Sequence, residues 1–290
     1  MMRNIHLLII DPQNDFCDLP ADYLPTDAAT NTQISPSLPV SGAHADMLRL
    51  AKLIHQGGAG ISNISVTLDS HHRLDIAHPG FWYGTNKQAV QPFTQISAED
   101  VRGGKYQPRD ASALPRALSY LDALESAGRY QLMVWPVHCE IGTWGQNVHA
   151  DIHAAYNQWE DTHQRIVAKL SKGSNPWTEH YSAVMAEVPD AEDPDTQLNS
   201  GFIATLAAAD EVLIAGEAGS HCVRATTKHI VENMDAAQLS KLVLITDCIS
   251  PVGGFDAQYQ EFLLAMKAKG LRLAQSADIL PELLANAVGR

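Results

Sequence analysis

Basic residues are scarce in this 290-residue chain: 20 Lys and Arg stand against 33 Asp and Glu, a formal net charge of −13. No basic stripe is available for phosphate contacts, so a nucleic-acid partner is excluded. Long hydrophobic runs are missing as well. Leu7 to Ile10 is the longest wholly apolar run near the start, and Asp11 ends it, which leaves room for neither a membrane span nor a signal-peptide core. The expectation is a cytoplasmic protein that meets no membrane. Cysteine is the third scarcity. Cys17, Cys139, Cys222 and Cys248 lie far apart with no Cys-x-x-Cys pair, so any cysteine chemistry rests on a single thiol rather than on a disulfide framework or a Cys-rich zinc site. What is present, 45% hydrophobic and 18% charged residues, suits a globular protein with an ample core and excludes disordered and collagen-like classes.

Apolar, β-branched runs alternate with longer stretches of helical periodicity, the order expected of a parallel sheet covered by helices. Strands are expected at Ile5 to Ile10, Ile61 to Leu68, Gln131 to Trp135, Arg165 to Leu170, Glu211 to Ala215 and Leu242 to Thr246. Helices are expected at Ala43 to His55, Ala111 to Ser126, Thr143 to Trp159, Leu198 to Ala208, Cys222 to Glu232 and Ala257 to Lys269, with a short strand at Leu271 to Ala274 and a last helix at Ala277 to Ala287. No repeat or linker divides these units, so residues 1–290 read as one α/β domain, a doubly wound and mostly parallel sheet of about six strands. Three segments rich in turn residues, about 18–39, 72–110 and 173–196, read as irregular insertions, of the kind that are either functional lids or partly disordered. Exposed helices such as Thr143 to Trp159 offer a self-complementary surface, and a homo-oligomer is expected.

Ligands of open parallel sheets bind outside the carboxyl ends of the strands. Reactive residues collect at that rim: Asp11 after the first strand, Asp69 and His71 after the second, His138 and Cys139 after the third, Lys172 after the fourth, and Gly216 to Cys222 after the fifth. Cys222 follows a glycine-containing turn and opens a helix, where unpaired N–H groups and the helix dipole favour a thiolate. Lys172 and Asp11 are the available cation and base. A depression of the thiol by about two pKa units corresponds to roughly 2.7 kcal/mol, within reach of a lysine and a helix start. Asp69 and His71, one residue apart, point to one side of an extended segment and can hold one ion, with His138 as a third ligand. His72 and His78 are close enough in sequence to be alternatives. Two histidines and one carboxylate with open positions is a catalytic pattern that suits Zn²⁺, Fe²⁺ or Mn²⁺. Other histidines, such as His149, His153 and His163, read as members of solvated helix faces.

With Asp11, Asp69-x-His71, His138, Lys172 and Cys222 in this order, the chain resembles the nicotinamidases within the isochorismatase-like cysteine hydrolases. The resemblance runs from about Asn4 to Pro251. It rests on Asp11-Pro12-Gln13-Asn14-Asp15-Phe16, on Trp135-Pro136-Val137-His138-Cys139 followed by Thr143-Trp144-Gly145, on Lys172-Gly173 with Tyr181-Ser182 downstream, and on His221-Cys222-Val223-Arg224-Ala225-Thr226. Asp69-Ser70-His71 keeps both ligands of the family's metal motif but lacks its central aromatic. Glu217-Ala218 falls where the family has a cis peptide before its nucleophile. The resemblance implies Asp11, Lys172 and Cys222 as the catalytic residues, a divalent metal on Asp69, His71 and His138, Phe16 and Trp135 against the substrate ring, and Glu217 and Ala218 completing the substrate contacts. The implied activity is hydrolysis of nicotinamide to nicotinic acid and ammonia through a thioester. Another small-amide or carbamoyl hydrolysis is the first alternative; vinyl ether hydrolysis of the isochorismate type and a non-catalytic metal-binding protein come below it.

Overall fold

In a computed structural model, which describes residues 2–289, the chain is an α/β fold. It runs through strand β1 (Ile5–Ile10), helix α1 (Ala43–Gly57), β2 (Asn63–Asp69), the short elements β3 (Trp82–Gly84), β4 (Thr94–Ile96), α2 (Ala98–Arg102) and β5 (Tyr106–Pro108), then α3 (Leu114–Ala127) and β6 (Leu132–Val134). It continues with α4 (Ala150–His163), β7 (Ala168–Lys172), α5 (Ser200–Ala207), β8 (Glu211–Gly216), α6 (Cys222–Asn233), β9 (Leu242–Ile245), α7 (Asp256–Ala268), β10 (Arg272–Ala274) and α8 (Ser276–Val288). Six strands form one sheet in the order β10-β9-β8-β1-β2-β7, with every pairing parallel. No helix among the described residues is long and apolar enough to cross a membrane.

The central strands explain themselves. Ile-His-Leu-Leu-Ile-Ile and Glu-Val-Leu-Ile-Ala-Gly are buried at every position, as strands covered on both sides must be. Because β1 is flanked by β2 on one side and β8 on the other, the chain reverses its winding there, and a crevice opens at the carboxyl ends of β1 and β8. Register decides what meets in it. Asp69 pairs with Lys172 across β2 and β7, and Ile10 pairs with Gly216 across β1 and β8. Gly216 has φ of +116°, and a Cβ on it would lie 2.0 Å from the Ile10 carbonyl oxygen, so only glycine lets β8 leave the sheet so close to β1.

The strand expected at Gln131 to Trp135 is not part of this sheet. Its residues 132–134 pair antiparallel with 94–96 in a side ribbon, and residues 82–84 pair with 106–108 in another, so that three of these four short strands come from the segment expected to be irregular. The sixth strand of the main sheet is instead the short one at 272–274. The helix expected from Thr143 begins only at Ala150, because His149 caps it by accepting the Asp151 N–H on Nδ1. His149 is therefore fully buried rather than solvated, and its Nε2 lies 2.9 Å from His44 Nδ1. Helix α4 packs on α1 through Ile152, Ala155, Tyr156 and Trp159.

Candidate active site

Asp11 is the first residue beyond β1 and has a left-handed φ of 44°, a conformation that aspartate tolerates better than most residues. The turn directs its carboxyl across the crevice. Oδ1 accepts the Thr67 hydroxyl at 2.5 Å, and the Asp11 N–H donates to the same Thr67 oxygen at 3.1 Å. Lys172 ends β7, fully enclosed, and gives its three N–H bonds to Asp69 Oδ1 at 2.9 Å, the His180 carbonyl at 3.0 Å and Cys222 Sγ at 3.7 Å. Its Nζ also lies 3.0 Å from Asp11 Oδ2, a charge contact without an aligned donor. The Cys222 thiol also hydrogen-bonds the Asp11 carboxyl.

Cys222 opens α6, as the sequence suggests, but the thiol is not poised as a thiolate. Burial pushes it well above its ordinary value; Lys172 pulls it down, while the charges of Asp11 and Asp69 push it up. The helix start and one lysine do not outweigh an enclosed site that holds two carboxylates. Burial also raises Asp11, against the pull of Lys172. Burial opposes the charge on Lys172, yet Asp11 and Asp69 keep it well above the usual lysine range. Cys222 therefore sits beside a pair of aspartates bridged by Lys172. Lys169, the neighbouring lysine in sequence, is exposed and sits 4.8 Å over the Tyr156 ring, away from this group.

The second cluster adjoins the first. Asp69, His71 and His138 are buried, and one ligand atom from each lies within 4.8 Å of the others. Asp69 Oδ2 is 3.1 Å from His71 Nε2 and 3.4 Å from His138 Nε2. The far nitrogen of each ring is already committed: His138 Nδ1 bonds the Pro136 carbonyl at 2.8 Å, and His71 Nδ1 bonds Asp75 at 3.0 Å. Rings fixed from behind, with Nε2 atoms converging on one carboxylate, form the donor set and outer support of a divalent metal site, and these residues fit such an ion. His72 is exposed and takes no part. His78 is fully buried; its ring centre stands 5.1 Å from that of His71 and 5.4 Å from that of His138. Burial lowers its pKa to about 4.

The Asp11 motif holds these clusters together. Gln13 donates to the Asp69 carbonyl and accepts the Asp69 N–H, Asn14 donates to the Trp144 carbonyl, and Asp15 accepts the Cys139 N–H at 2.7 Å and the Ser37 N–H at 2.9 Å. His71 and Glu140 form an isolated parallel bridge, which sets His138 beside the Asp69 segment. Between the clusters lies a slot lined by Phe16, Leu38, Trp135, Tyr181, Ala218, His221 and Val252, with Asp69, His138 and Cys222 at its polar ends. Trp135 is fixed there by donating to the Tyr181 hydroxyl at 3.0 Å.

Leu38, Glu179 and Val252 line the slot and were not anticipated. Glu179 is fully enclosed, one of its oxygens has no donor, and burial raises its pKa. It lies in the turn-rich segment after β7, where no periodicity marks an inward side chain. Thr67 did carry a signal, for Ser65, Thr67 and Asp69 are polar residues two apart on a buried strand. Glu217 is placed differently from the expectation. The Glu217-Ala218 bond is cis, but the Glu217 side chain turns away from the slot toward Asp46 and Ser250, and only Ala218 lines it.

No family model matches the sequence, and no curated protein matches it. Solved structures do match. The chain is similar to the nicotinamidase/pyrazinamidase of Acinetobacter baumanii, at 20% identity over 96% of this chain and 98% of that one, with a TM-score of 0.58. It is similar to the yeast nicotinamidase at 19% identity, over 93% of this chain and 99% of that one, with a TM-score of 0.60. It is also similar to the pyrazinamidase of Pyrococcus horikoshii, whose structure is a complex with zinc, at 18% identity over 94% of this chain and 99% of that one, with a TM-score of 0.51. The chain therefore has the fold of the nicotinamidases and pyrazinamidases, as its motifs imply.

Proposed function

We propose that this protein is a metal-dependent cysteine amidohydrolase and that nicotinamide is its substrate. The observation that carries the reading is one crevice holding Cys222 against both Asp11 and Lys172, with the Asp69, His71 and His138 cluster across an aromatic slot. The structural likeness to nicotinamidases supports the choice of substrate.

In this reading the amide lies flat between Phe16 and Trp135 with its carbonyl at Cys222. Asp11 Oδ2 takes the thiol proton as sulfur bonds to the carbonyl carbon, so a thiolate exists only while it attacks. The N–H groups of Ala218 and Cys222 have no acceptor among the described residues and hold the oxyanion. As the tetrahedral centre collapses, the C–N bond breaks and Asp11 returns the proton to the departing ammonia. Asp11 then deprotonates a water, which attacks the thioester; the acid leaves and the proton returns to the thiol. Lys172 stays protonated and offsets the negative charge as it passes between Asp11 and Cys222. Asp69, His71 and His138 would hold the metal, zinc by analogy with the Pyrococcus horikoshii complex, with Fe²⁺ or Mn²⁺ suited to the same donors. When bound, the ion supplies a Lewis-acid anchor for the pyridine nitrogen.

The unpartnered Glu179 oxygen favours a second reading, a small amide that carries a hydrogen-bond donor in place of the pyridine nitrogen. Chromatographic assay of nicotinamide, benzamide and a donor-bearing carboxamide separates the two. The first reading expects nicotinate and ammonia from nicotinamide with benzamide inert, and fails if the donor-bearing amide alone is hydrolysed.

A further inference from the structure

Glu217 stands at the root of the turn that carries Cys222, yet its carboxyl is neither in the slot nor in solvent. Oε2 accepts the Ser250 N–H at 3.2 Å, and the carboxyl hydrogen-bonds that of Asp46 on α1, itself 2% exposed. Two buried carboxyl groups in contact cannot both be ionised unless cations surround them, and one must hold a proton as donor. Asp46 has the stronger claim to charge, since it accepts the Arg49 guanidinium and, at 2.5 Å, the Ser250 hydroxyl. No cation among the described residues faces Glu217, and its Oε1 receives no N–H or O–H.

Ser250 joins this pair to the nucleophile turn. Its N–H goes to Glu217 and its hydroxyl to Asp46, while its carbonyl accepts the Gly219 N–H at 2.8 Å. Two residues on, the Val252 N–H donates to Ser220 Oγ at 3.0 Å, and Val252 is a wall of the slot. Residues 250–252 thus form a splint along residues 217–222, and its fixed end is the carboxyl pair.

We propose that Glu217 and Asp46 share one proton, and that this acid–carboxylate pair, acting through Ser250, is the positioning device that fixes the turn carrying Ala218 and Cys222. The inference rests on Cys222 being the nucleophile. Deprotonation would put two anions in contact. Besides Arg49, the groups facing them are Asp18, Cys17, Cys248 and Tyr259, none of them cationic. Burial first, then Asp46, raises Glu217 well above the usual carboxylate range. A raised folded-state pKa gives stability that is complete below the unfolded value and lost as pH rises through the folded one.

The test uses the full chain with two variants. Glu217→Gln keeps a neutral donor to Asp46, whereas Glu217→Leu keeps bulk alone. Melting temperature is followed from about pH 5 to 9, where wild type is expected to lose stability toward the alkaline end and Glu217→Gln to lose less. Turnover is expected to fall about tenfold in Glu217→Leu with KM within about twofold, and Glu217→Gln is expected to recover most of the loss. If the two variants lose turnover equally, or if wild type and Glu217→Gln melt in parallel across pH, the proposal is overturned. The melting arm needs neither a known substrate nor a folded Leu variant. If no variant hydrolyses nicotinamide, the substrate assignment fails while the shared proton is still decided by melting, and the iodoacetamide rate at Cys222, altered by Leu and spared by Gln, decides the positioning.

Discussion

The two ends of the slot are built by different means. At the nucleophile end, Asp11, Lys172 and Cys222 each sit at or one turn beyond a main-sheet strand, so parallel register places them. At the histidine end only Asp69 belongs to a strand of that sheet. His71 and His138 come from loops held by the bridge at Glu140 and by Asp75, Pro136 and Asp15. The sheet end draws its precision from backbone pairing spread over many residues, and the loop end from a few side-chain bonds, each of which a single substitution removes. The two ends should therefore fail separately and by different amounts.

The largest separation is expected from Cys222→Ala, which should reduce ammonia release by ~10³-fold or more while metal content, read by elemental analysis, stays at the wild-type level. Asp11→Asn should follow it closely. Lys172→Met tests whether the sheet end is also a folding element. Removing the ammonium that lies within 3.0 Å of both Asp11 and Asp69 should cost roughly 3–5 kcal/mol in denaturant unfolding. Its pH dependence has a definite sign: Lys172 is raised when folded, so its contribution is complete at neutral pH and disappears as pH climbs through the folded value. Asp69 is held well below its usual range by His71 and Lys172 against the opposing effect of burial, so its contribution is present at neutral pH and lost as pH falls through its folded value.

At the loop end, Asp75→Asn should weaken metal binding by about 10- to 100-fold by releasing the His71 ring, with Cys222 alkylation by iodoacetamide unchanged. Parallel loss of alkylation would show that the ends are not independent. The smallest effect is expected of Lys169→Ala, which removes an exposed cation–π contact worth about 0.5–1 kcal/mol and should leave turnover alone.

The same contrast explains what could be read before any coordinates. β1 and β8 carry the apolar runs Leu7 to Ile10 and Val212 to Ala215, bounded by Asp11 and Gly216, and strands of that kind announce both their position and the rim where they end. Lys172 and Cys222 follow from that rim and from local motifs. The histidine end was legible as residue types but not as architecture. Residues 94–96 and 132–134 are three-residue strands, too short to show a period, and the second passed for a member of the main sheet. Glu179 was invisible because irregular backbone gives no rule for which side chains turn inward. Two expectations went astray for electrostatic reasons: the Cys222 thiol is raised rather than lowered because Asp11 and Asp69 accompany Lys172 into a buried site, and the Glu217 carboxyl prefers Asp46 and Ser250 to the slot.

Ammonia release from nicotinamide, measured on wild type and Cys222→Ala before and after chelation, tests the central claim most directly. The account predicts release by wild type alone, loss on chelation and recovery when Zn²⁺, Fe²⁺ or Mn²⁺ is restored. Release that survives in Cys222→Ala would contradict it.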